Sequence, residues 1–62
     1  MKHIDVTIRF EDKLLLPLAQ FLKRLQFDDV FQRSTSVEEA YQAINACELI
    51  RRALAEKGVN PR

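Results

Sequence analysis

Few residues in this 62-residue chain could do chemistry: one histidine, His3, one cysteine, Cys47, and the adjacent acid pairs Asp28–Asp29 and Glu38–Glu39. A histidine or thiol becomes a catalyst when a neighbour tunes its pKa, and two carboxyls work as acid and base when they converge on one bond. His3 sits near the N terminus on the polar side of an alternating stretch, where it reads as solvated. Cys47 falls on an apolar helical stripe with no histidine near it in sequence, the setting of a packing cysteine. Adjacent acids diverge on a helix or turn, so both pairs read as caps and surface charges. No Gly-x-Gly-x-x-Gly and no Walker loop occurs, and the single glycine, Gly58, stands where a helix should end. One His and one Cys cannot complete a tetrahedral metal site within one chain. The expectation is a non-enzymatic protein with no cofactor, no metal and no small-molecule substrate.

What the chain lacks in chemistry it must supply by binding. A domain of this size buries only about 60% of its unfolded surface, and small domains usually add disulfides, metals or oligomerisation. With a single cysteine, an internal disulfide is excluded, which leaves self-association or docking on a partner. Ten basic and nine acidic residues give a net charge of +1, so bulk charge favours neither nucleic acid nor an anionic membrane. There is no apolar run near 18 residues, and "MKHIDV" lacks a signal-peptide core; a soluble cytoplasmic protein without membrane contact is expected. At 47% apolar and 31% charged residues the composition is that of one folded domain spanning residues 1–62.

The elements follow from periodicity. In "HIDVTIRF", Ile4, Val6, Ile8 and Phe10 alternate with His3, Asp5, Thr7 and Arg9, the period-2 pattern of a half-buried strand over about 3–10. Leu14, Leu15, Leu18, Phe21, Leu22 and Leu25 recur at helical spacing and predict a first helix over about 13–26. Asp12 is its expected N-cap, and Pro17 should delay the regular turns to about Leu16. Residues 27–35 form a connector, in which Asp28 and Asp29 could cap a short helical turn and "VFQRS" offers a short second strand. Ser36 and Glu39 make a capping box for a second helix over about 37–57 that ends at Gly58. Its main stripe is Val37, Ala40, Tyr41, Ile44, Cys47, Ile50 and Leu54. Leu16 and Leu49 point away from their stripes, and Arg51 lies on one, with Glu48 one turn earlier as a partner. Arg51 reads equally as an interface residue and as a side chain snorkelling from the stripe edge.

The fold class expected is α+β, a β-α-α chain. Its strand needs a neighbour that the rest of the chain does not supply. A two-fold homodimer joined by an antiparallel β-ribbon would provide one, with Ile4, Val6 and Ile8 at the partner interface. At this point "VTIRFED", "LLPLAQFLKRL" and the helix opening after "RSTS" resemble the ribbon-helix-helix repressors. The resemblance implies a DNA-binding transcriptional regulator in which Asp5, Thr7 and Arg9 face bases in the major groove. It also implies that Ser34, Thr35 or Ser36 meets the DNA backbone at the start of the second helix. Arginine can grip guanine, threonine can touch a thymine methyl, and a helix N terminus can hold phosphate.

A second resemblance, carried by "LAQFLKRLQF", "EEAY" and "RRALAEKGVNPR", is to small bacterial proteins of plasmids, phages and other mobile elements. It implies a small accessory protein. Such elements also encode inhibitors of host defence, anti-CRISPR proteins among them, which act by covering a surface of their target. The rival expectation is therefore a protein-binding inhibitor that docks on a host protein complex, with Leu16, Leu49 and Arg51 at the partner interface.

Overall fold

Three helices form between residues 12 and 56 in a computed structural model that describes residues 2–60. Helix α1 spans Asp12–Arg24, α2 spans Phe27–Phe31 and α3 spans Val37–Glu56. In α1, Asp12 lies in the first turn and Lys23 and Arg24 in the last, charges that oppose the helix dipole favourably. The N-cap is Glu11 in place of the expected Asp12, and its side chain makes no capping bond. Pro17 is carried inside the helix, which begins a turn earlier than expected and runs through it. Proline there removes one hydrogen bond, to the carbonyl four residues back at Lys13. Ala19, two residues on, is buried, and α1 packs against α3.

The connector contains a helix where a strand at "VFQRS" was an alternative. The Gln26 backbone N–H donates to the Asp29 carboxylate at 3.0 Å and starts the turn. Phe27 then stacks against Tyr41 of α3 with ring centroids 4.6 Å apart, and against Phe31 at 5.9 Å. Three aromatic rings thereby staple α2 to α3, and aromatic pairs of this kind contribute about 0.5–1.5 kcal/mol beyond burial.

Helix α3 is closed at both ends by local chemistry. The Ser36 hydroxyl oxygen accepts from the Glu39 N–H at 3.1 Å. The expected return contact from Glu39 falls one residue earlier: its carboxylate accepts from the Thr35 hydroxyl at 2.6 Å and from the Thr35 N–H at 3.3 Å. At the far end, the Val59 N–H donates to the Leu54 carbonyl and the Gly58 N–H to the Ala55 carbonyl, both at 2.9 Å, which is a Schellman closure. Gly58 has φ 84°, a left-handed backbone that side chains with a Cβ resist.

The expected α+β class is corrected to all-α: among the described residues there is no strand. Residues 3–10 lie outside any helix and outside any ladder. Alternation in sequence sorts side chains to two sides of an extended backbone. A strand additionally requires a paired neighbour, and nothing in this chain lies beside the arm to pair with it. The antiparallel ribbon loses its element with it.

The helices form a single layer. Asp12, Leu15 and Leu16 share a pocket with Gly58 and Val59, while Phe21, Arg24 and Leu25 share a cleft with Glu39 and Ala43, so α1 and α3 run antiparallel. The molecule measures 34 × 29 × 16 Å. Helices α1 and α2 each pack against α3 and not against each other, where stable domains stack two layers. Burial reflects this: Ala19, Ala40 and Leu54 alone are buried among the described residues.

Candidate functional site

The chemistry-bearing residues are not brought together. No cluster of three or more His, Cys, Asp or Glu residues fit to hold a metal occurs among the described residues. His3 is exposed on the arm and Cys47 is a half-buried free thiol on α3. The larger cleft, about 660 Å³, lies between the end of α1, α2 and the start of α3. Phe21, Leu25, Val30 and Ala43 form its apolar floor, while Arg24, Arg33, Asp29 and Glu39 form a rim of mixed sign. It opens to solvent and carries no convergent polar groups of the kind that orient a small molecule.

The prominent feature is apolar surface left in water. On the arm, Ile4 is 78%, Val6 76% and Ile8 63% exposed. On the helices Leu14, Phe21, Phe31, Val37, Tyr41, Leu49 and Ile50 are also exposed. A folded monomer of 7.2 kDa should expose about 4,100 Å² by the usual size scaling, and this chain exposes 5778 Å². The excess of about 1,700 Å² is of the order of a protein–protein interface.

Each expected site residue has a definite place. Asp5, Thr7 and Arg9 are exposed along the arm with Ile4, Val6 and Ile8 between them, and no hydrogen bond fixes any of their side chains. Ser34 is committed to its own chain, its hydroxyl donating to the Val30 carbonyl at 2.7 Å. Thr35 binds Glu39, and Ser36 caps α3. The Glu39 carboxylate thus lies beside the start of α3, bonded to Thr35 just before the N-cap. The Thr35 hydroxyl, and then the Thr35 N–H, hold the Glu39 carboxyl below its ordinary value near 4.5, which keeps that anion charged. Leu16 lines a small pocket with Val59. Leu49 is 65% exposed. Arg51 is half-buried and meets Glu48 at 3.5 Å, while Arg52 approaches the other Glu48 oxygen at 3.7 Å. Pairs this exposed contribute about 0–1 kcal/mol, so Glu48 orients the two arginines without anchoring the fold.

Sequence reasoning missed one surface. Ile50 was assigned to the buried stripe of α3, yet it is 45% exposed. With Ala46 and Ala53, both exposed, it belongs to a second seam about a quarter turn around the helix from the first. The signal was present in the 3-4-3 spacing of Ala43, Ala46, Ile50 and Ala53, hidden because small side chains add little to a hydrophobic pattern.

The fold thus presents a scant core and large apolar side chains exposed on both the arm and the helices. The chain belongs to the DUF7706 family, a family of unknown function, whose model matches residues 1–62. No curated protein and no solved structure matches it. No helix among the described residues is long and apolar enough to cross a membrane.

Proposed function

We propose that this chain is a non-enzymatic protein-interaction module that completes its fold and acts by occupying an apolar surface on a protein partner. The observation that carries the reading is the surface excess of about 1,700 Å² over a monomer of its mass, with three buried residues as its core. Ile4, Val6 and Ile8 on the arm and Leu49 and Ile50 on α3 are exposed, and clustered exposed apolar side chains are characteristic of interaction sites. The near-neutral charge is compatible with protein binding and gives little electrostatic attraction to a phosphate backbone.

The DNA-binding alternative depends on a paired ribbon to present Thr7 and Arg9 and on an open α3 N terminus. Within the single chain the arm forms no strand, and Ser34, Thr35 and Ser36 are each engaged in hydrogen bonds of their own chain. The reading is tested by affinity capture from bacterial extract with the parent chain and the Leu49→Asp and Val6→Asp variants. A protein retained in stoichiometric amount, and lost with a variant that stays helical, is the expected result. Duplex DNA shifted by the parent and released by Arg9→Ala, with no protein captured, would replace the reading with a DNA-binding one.

A further inference from the structure

The exposed seam of α3 contains its own partner's description. Glu39, Ala43, Ala46, Ile50, Ala53 and Lys57 follow one another at spacings of four, three, four, three and four, the a/d repeat of a helix that seats against another helix. Apart from the half-buried Ala43, all six are exposed, and the stripe facing α1 lies about 100° away around the helix. The order of residues along the seam is also symmetric about Glu48, large against small and acid against base.

We propose that α3 pairs antiparallel with α3 of a second copy through this seam. The inference rests on the interaction-module reading and names its partner. A two-fold interface requires that residue i meet j while j meets i. Centred on Glu48, an antiparallel pair places Ala46 opposite Ile50 of the second copy, Ala43 opposite Ala53, and Glu39 opposite Lys57. Each relation occurs twice. The alanines allow close approach, and each isoleucine fills the space across from an alanine. Antiparallel helices align opposite dipole ends, whereas a parallel pair would set Glu39 on Glu39 and Lys57 on Lys57. A foreign partner has no need of this internal symmetry.

Exposure and shape support the same occupant. Within the seam Ile50 is 45% exposed and open to a second copy, while the exposed Ile4, Val6 and Ile8 of the arm lie outside it. A second copy laid on the flat side of a 16 Å slab supplies the missing layer. Phe21 and Leu25 border the same cleft as Ala43, so apolar surface of α1 continues the seam.

The test uses the full chain with Cys47 replaced by alanine and a new cysteine at one end of the seam. Ala43→Cys and Ala53→Cys, mixed and mildly oxidised, are expected to give a disulfide-linked pair of the two variants. Either variant alone should give none, because like residues lie ten positions apart along antiparallel helices, about 15 Å, beyond disulfide reach. Lys57→Glu should weaken the dimer about tenfold by light scattering, since it sets two like-charge pairs across the interface. That variant alters an exposed residue and keeps the test open should a cysteine variant not fold. A dimer lacking the mixed crosslink and indifferent to Lys57→Glu would overturn this seam and leave the interaction module standing. A chain that is monomeric at all concentrations and unfolds in one sharp transition would overturn both.

Discussion

The N-terminal arm and α3 are both amphipathic by pattern, one with period 2 and the other near 3.6, yet only α3 holds its structure within a single chain. The difference lies in where backbone hydrogen bonds are found. A helix bonds each N–H to a carbonyl four residues back, so α3 satisfies its interior alone and needs only caps, which Ser36, Thr35 and Gly58 supply. An extended segment finds its bonds in a neighbour, and residues 3–10 have none in this chain. Amphipathic pattern therefore specifies a side to be buried, and topology specifies whether anything buries it.

The comparison can be broken from the helical side first. Leu54→Ala removes the largest of the three buried side chains and should cost about 2–4 kcal/mol, enough to abolish a cooperative melt followed by far-ultraviolet circular dichroism. A stability unchanged by that substitution would mean the α1–α3 contact contributes nothing. Loss of the cap by Ser36→Ala should cost about 1 kcal/mol and fray the start of α3, seen as faster hydrogen exchange at residues 37–40.

A pH titration sharpens the same comparison. The Glu39 carboxyl is held low in the folded chain by Thr35, so its contribution is full above the ordinary value near 4.5 and is lost as pH falls through the lower folded value. Thr35→Val should lessen that acid-side loss, so that parent and variant differ at pH 7 and converge once Glu39 is protonated in both states. Equal acid-side slopes for the two would show that the Thr35 hydroxyl does not act on Glu39.

The smallest effect is expected on the arm. Val6→Asp should change the unfolding free energy of the dissociated chain by less than about 0.5 kcal/mol, because the side chain is 76% exposed and touches no core. A large destabilisation in dilute solution would place the arm against the helices and erase the contrast with α3.

Much of the architecture was written locally. Ser36 three residues before Glu39, Gly58 after a long run without Pro or Gly, and leucines at helical spacing marked α1 and α3 to within about two residues. What could not be read was every feature that depends on a neighbour. Residues 3–10 alternate like a strand but have no strand to join in this chain, Phe27 of the short helix found Tyr41 of α3, and Glu39 turned to Thr35 in place of Ser36.

The division follows the range of the forces. The sequence by itself determined where helices start and stop, because caps, turn glycines and periodicity act within four residues of backbone. Only the tertiary structure decided which of two seams on α3 is covered by α1 and which, with Ile50, stays open. Both have the spacing of a buried face, and a single layer of helices can cover just one of them.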